Sequence, residues 1–117
     1  MKRLGYAAIG LVAAAVAIAV VVTQHASWWQ LVVFAIAPDI ALLFGSGRGL
    51  ERGQLAPRAV PLYNAVHHFW APAVLVVLAL LLREFAWVAA CLAWCAHIGF
   101  DRSLGFGLRT REGFQRG

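Results

Sequence analysis

Charge is scarce in this chain, and negative charge is scarcest. Only five residues are Asp or Glu and ten are Lys or Arg, a charged fraction of 13%, where a soluble domain carries about 25%. So few charges cannot solvate the surface of an ordinary water-soluble fold. Cysteine is nearly absent as well. Cys91 and Cys95 stand one helical turn apart in a single apolar run; two cysteines so placed build no disulfide framework and are too few for a thiolate-only metal site. The GxxxxGK[ST] spacing is missing, which excludes a P-loop. CxxCH is missing too, so haem attached through thioethers is excluded. The excess of basic residues, net charge +5, does not point to nucleic acid, because the arginines sit in short segments between apolar runs rather than on one polar face.

What fills the chain instead is hydrocarbon: 62% hydrophobic residues and a mean hydropathy of +0.77. Four apolar runs predict helices over about 4–22, 28–44, 60–82 and 85–104, followed by a tail, 105–117. About 17–25 apolar residues cross a bilayer. The first run is longer than the roughly 7–15 residues of a signal-peptide core and has no small-x-small cleavage site after it. The expected architecture is therefore an all-α, integral membrane four-helix bundle forming a single transmembrane domain, 1–117. Trp28, Trp29 and Trp87 fit interfacial anchors. Pro38 should kink the second helix and Pro72 should bend the third. The 45–58 loop, GSGRGLERGQLAPR, reads as a cationic connector at anionic headgroups or as a lid over an anionic substrate.

Orientation follows from the basic residues. With the amino terminus inside, Lys2, Arg3, Arg48, Arg52, Arg58, Arg102, Arg109, Arg111 and Arg116 are cytoplasmic and only Arg83 is external. Nine against one is a strong asymmetry under the positive-inside rule. The expectation is N-in/C-in, multi-pass, both termini cytoplasmic, in a bacterial or archaeal plasma membrane. The bilayer is then the first partner. Small-residue stretches such as Ala13-Ala14-Ala15 would allow close helix packing, within the chain or in a homo-oligomer.

Against this background the ionisable residues inside the runs stand out, because such groups are costly in an apolar helix and mark functional sites. Asp39 lies one to two turns from the inner end of the second run. Asn64, His67 and His68 lie in the first two turns of the third, with Tyr63 at the edge of their face. His97 and Asp101 sit four apart in the last two turns of the fourth, so both point to one side. All of these groups share one depth near the cytoplasmic face. Imidazoles and carboxylates are ligand types for a divalent metal such as zinc. The expected roles are His67, His97, Asp101 and His68 as metal ligands and Asp39 as a further ligand or as the catalytic base. Asn64 and Tyr63 would support the ligands, and Arg102, Arg48 or Arg52 would hold an anionic substrate group. A metal there would hydrolyse an ester or phosphodiester of a lipid-like or amphipathic substrate. The same residues would also serve a non-catalytic polar network that sets helix packing or a partner interface, a b-type haem held by His67 or His68 opposite His97, or a proton relay.

Ala37-Pro38-Asp39, Tyr63-Asn64 with His67, Ala96-His97-Ile98-Gly99-Phe100-Asp101-Arg102 and Gly105-Phe106-Gly107-Leu108 together resemble a family of small bacterial four-helix membrane proteins, described as a domain of unknown function. The AHIGFDR stretch is the most specific part. The resemblance implies a compact inner-membrane protein. It singles out Asp39, Asn64, His67, His97 and Asp101 without naming a reaction.

Overall fold

The computed structural model describes residues 2–115. Met1, Gly117 and Arg116, the last of the tail arginines counted above, lie outside the described residues. The described residues are helical, with loops and one isolated bridge between Arg109 and Gln115. In chain order the helices are α1 (Lys2–Gln24), α2 (Trp29–Ile36), α3 (Ala41–Phe44), α4 (Val60–Val66), α5 (Trp70–Leu81) and α6 (Phe85–Ser103). Short 3-10 turns, Ala37–Ile40 and Pro57–Ala59, join α2 to α3 and lead into α4.

Each interruption has a proline behind it. Pro38 has no N–H to give and sits in the 3-10 turn, where the tighter i→i+3 pattern releases carbonyls of the preceding turn. The third apolar run differs from the single helix expected over 60–82. It breaks at 67–69 into α4 and α5, bent by 40°. Pro72 explains the position. Its ring clashes with the carbonyl four residues back, that of His68, and it cannot donate to it, so the break falls one turn before the proline rather than at it.

α6 is the axis of the molecule, with α1, α2 and α5 all packed against it. α1 buries one narrow stripe, Gly10, Ala13, Ala17 and Val21. The contact is close because both helices carry glycine where they cross: a Cβ on Gly99 would stand 2.8 Å from the Gly10 nitrogen and 2.9 Å from the Tyr6 carbonyl oxygen. Small residues at a helix crossing let the backbones approach and replace large hydrophobic side chains as the packing device. Ala13 is thus used inside the chain.

Most other large apolar side chains point outward. Among the described residues α1 is the one helix long and apolar enough to cross a membrane, with mean hydropathy 2.5, or there are two such spans if the bent pair Pro57–Val66 and Trp70–Leu81 counts as one. Trp29–Ile40 is shorter. Helix length by itself therefore gives one or two crossings, not four.

The tail folds back on α4. The Asn64 side chain donates to the Arg109 carbonyl at 3.0 Å and accepts from the Arg109 N–H at 2.7 Å, matching a backbone partner. The Arg109 guanidinium lies 4.8 Å over the Tyr63 ring and donates to the carbonyls of Gly53 and Gly113. Leu55 N–H reaches the Gly113 carbonyl at 2.9 Å, tying the 45–58 loop to the tail.

Candidate metal centre

The two helix breaks lie side by side, and α6 closes both. A broken helix leaves carbonyls without their i+4 donors, and in an apolar setting each must find another. Three side chains of α6 supply them. Trp94 Nε1–H donates to the Val66 carbonyl at 2.7 Å, Arg102 Nη2–H to the His67 carbonyl at 3.2 Å, and His97 Nδ1–H to the Ala35 carbonyl at 2.7 Å. At the end of α4 the His67 N–H has turned to the Asn64 carbonyl at 3.2 Å. That frees the Tyr63 carbonyl for the side chain of His67, whose Nδ1–H donates to it at 2.8 Å.

These bonds fix the histidine tautomers. A carbonyl only accepts, so Nδ1 carries the proton in both rings and Nε2 is turned inward. The two Nε2 atoms face two carboxylates. His97 Nε2 lies 3.1 Å from Asp39 Oδ1 and 3.1 Å from Asp101 Oδ2; His67 Nε2 lies 3.6 Å and 3.3 Å from the same two oxygens. Asp39, His67, His97 and Asp101 each offer one ligand atom, all within 4.8 Å of one another. His67 Nε2 is buried and makes no hydrogen bond among the described residues. With the imidazoles neutral, two nitrogen lone pairs and two carboxylate oxygens converge here, the donor set of a divalent cation. Around a tetrahedral zinc ion with bonds of about 2.0–2.1 Å, neighbouring donor atoms lie roughly 3.3 Å apart. The four nitrogen–oxygen distances bracket that value.

Access is one-sided. The side chains of His67 and His97 are 2% and 9% exposed, Asp101 22% and Asp39 50%. The histidines form the floor, and Asp39, carried on the 3-10 turn, stands at the mouth. Tyr63 backs the floor: its ring stacks on His67 at 4.0 Å, and the two imidazoles meet edge to face at 5.5 Å. Beside the centre an apolar hollow of about 240 Å³ runs between α1, α2 and α6, walled by Ala14, Ala17, Leu31 and Ala93 and reaching His97 and Asp101.

Of the residues expected in the site, Asp39, His67, His97 and Asp101 come together. His68 does not join them; it lies in the break between α4 and α5, next to His67 but outside the group of four. Tyr63 touches His67 by ring and carbonyl. Asn64 is turned to the tail, where it holds Arg109. Arg102 is not bonded to Asp39; it holds the His67 carbonyl, and its guanidinium lies beside the stacked rings of Tyr6 and Phe69, 5.4 Å and 5.0 Å from their centroids. Arg48 and Arg52 are exposed in the loop. Two contributors carried no sequence signal that could have found them. Ala35 acts through a main-chain oxygen, and Phe69 through a ring in a run of apolar neighbours.

An all-helical protein with two histidines and two aspartates positioned to hold a metal ion is the class that fold and site define. The chain belongs to the family described as Domain of unknown function (DUF4260), which matches residues 8–117. No curated protein and no solved structure matches the chain.

Proposed function

We propose that this protein is a multi-pass membrane protein that holds one divalent metal ion at the level of the cytoplasmic headgroups and uses it to hydrolyse an ester or phosphodiester of an amphipathic substrate. The observation that carries the metal reading is the pair of Nδ1–H bonds to freed carbonyls. They aim both Nε2 lone pairs at two carboxylate oxygens, and a histidine that donates its other N–H to a carbonyl is the usual form of a metal-bound imidazole.

Support for the membrane comes from the exterior. Leu4, Leu43, Trp70 and Leu81 are 64–77% exposed, and an apolar surface of this extent is not stable against water. The long axis of 48 Å suits a bilayer of about 40–45 Å with its headgroups. Helix breaks whose freed carbonyls, here those of Ala35, Tyr63, Val66 and His67, are re-bonded by side chains are the form that broken spans take in lipid. The basic residues then set the direction, both termini cytoplasmic, in a bacterial or archaeal plasma membrane.

In this reading His67, His97 and Asp101 hold the ion. Asp39, half exposed at the mouth, either completes its shell or takes the proton of the attacking water. The metal supplies a water of lowered pKa and polarises the carbonyl or phosphoryl. The hollow between α1, α2 and α6 would take an alkyl chain of the substrate, leaving the scissile bond at the mouth. A haem does not suit the arrangement, since both carboxylates stand between the imidazoles where the porphyrin plane would pass.

Elemental analysis of the purified full-length protein tests the reading. One equivalent of metal per chain is expected, lost in His97→Ala and in Asp101→Asn while the helical circular dichroism is retained. Asp39→Asn should keep measurable metal and lower turnover of a micellar ester or phosphodiester by about 10²–10⁴-fold. A protein that binds no divalent metal at equilibrium would leave the four residues as a charge-paired network that sets helix packing, and the hydrolase reading would fall.

A further inference from the structure

We propose a second site: the pocket between the first turn of α1 and the last turn of α6 binds a phosphate group, independently of any metal at the four-residue centre. Lys2, Arg3 and Arg102 line one hollow of about 430 Å³, together with Tyr6, Gly105, Gly107 and Leu108. Three cationic side chains face it, and among the described residues no carboxylate lines it. The close His–Asp contacts belong to the metal centre, and none of them involves these three cations.

Of the three, Arg102 is held in place by its neighbours, while Lys2 and Arg3 reach the pocket from the exposed first turn of α1. Arg102 is fixed by its bond to the His67 carbonyl, a 3.4 Å contact to the Tyr6 hydroxyl and the stacked pair of rings beside it. Its Nε–H is buried and makes no hydrogen bond among the described residues. Arg3 lies flush on the turn after α6: a Cβ on Gly105 would come within 2.8 Å of Arg3 Nη2. Gly105 has φ +92 and closes the helix, with Phe106 N–H on the Asp101 carbonyl at 2.8 Å and its own N–H on that of Arg102 at 3.2 Å. This is the Schellman arrangement, and it satisfies carbonyls at the end of α6. The arginines are therefore not needed to cap that end.

Uncompensated cations in a concave, partly dry setting are matched by a multiply charged oxyanion, and phosphate gives each guanidinium two oxygens to bond. The chemistry has two sources, the headgroup of an anionic phospholipid and a soluble phosphate ester. Lys2 and Arg3 are exposed, so replacing them leaves the fold alone, whereas replacing Arg102 would also release His67.

The experiment uses the full-length protein, freed of lipid in detergent. Inorganic phosphate and glycerol phosphate are titrated against its thermal transition, with chloride at equal ionic strength as the reference. In parallel, phosphatidylcholine nanodiscs with and without phosphatidylglycerol are followed by lipid retention in native mass spectrometry. A saturable phosphate effect, weakened at least about tenfold in Lys2→Gln/Arg3→Gln and unchanged in the loop variant Arg48→Gln/Arg52→Gln, supports the site. Retention of phosphatidylglycerol lost in the first variant assigns it to a lipid headgroup; a response to the soluble esters alone assigns it to a soluble ligand. No saturable response to any of these probes, or equal losses in both variants, overturns the proposal. Metal content is read on the same samples, so failure of the metal centre and failure of this pocket are told apart.

Discussion

His67 shows how a single side chain is set by what surrounds it. Its Nδ1–H is used by a carbonyl of its own helix and its ring is covered by Tyr63, so little but the Nε2 lone pair remains available. Supporting contacts of this kind are worth about 10–100-fold in metal affinity. Tyr63→Ala is expected to weaken metal binding by about that factor in competition with a chelator, and Tyr63→Phe, which keeps ring and carbonyl, to leave it unchanged. Protons compete for every ligand atom, so affinity should fall as the pH is lowered; a pH-independent affinity would speak against histidine ligation. At the far end of the molecule, Arg83 closes α5 with φ 56. A left-handed conformation is costly for a residue with a Cβ and free for glycine. Arg83→Gly should raise stability by roughly 1 kcal/mol, read as a higher melting temperature.

At the scale of elements, α6 does two jobs with two faces. One face is made of small residues and lies against α1, with Gly99 on the Gly10 backbone. Since backbone atoms cannot yield as a flexible side chain can, Gly99→Ala should cost about 1–3 kcal/mol, measured by thermal unfolding in detergent. The other face presents Trp94, His97, Asp101 and Arg102 to the breaks after α2 and α4. The breaks are part of the site, not flaws beside it, because each releases a carbonyl that orients one histidine. Pro72 places the second break. Pro72→Ala restores an N–H opposite the His68 carbonyl and is expected to extend α5 backwards, reduce the 40° bend and lower metal affinity by more than about tenfold. Retained affinity together with a straightened helix would show that the bend is not needed.

The whole molecule gathers its ionisable centre where the two helix breaks meet α6 and exposes large apolar side chains on α1, α2 and α5. The orientation reading predicts that a fluorescent reporter fused to the C-terminus lights up in the cytoplasm, and that a cysteine placed at Arg83 is labelled by an impermeant reagent from outside. Labelling at Ser46 in the 45–58 loop instead would reverse the topology. This scale is also where sequence and structure part. Four apolar runs are plain in the chain, but proline breaks two of them and the fourth, though unbroken, does not pass as a span, so helix length gives one or two crossings and the proposal of four rests on the exposed apolar side chains and the basic residues.

The sequence alone determined where the apolar runs lie and which ionisable groups interrupt them. Hydrophobic runs, prolines and i,i+4 spacing are local properties, and Asp39, His67, His97 and Asp101 were visible because charge in an apolar run is conspicuous. Only the tertiary structure decided which way those groups face. It separated His67 from His68, turned Asn64 from the site to the tail, set Arg102 on the His67 carbonyl, and brought Lys2 and Arg3 to a turn about a hundred residues away. Those outcomes depend on main-chain carbonyls freed at helix breaks and on glycines that let two helices touch. Neither leaves a mark in the identity of the residues it governs.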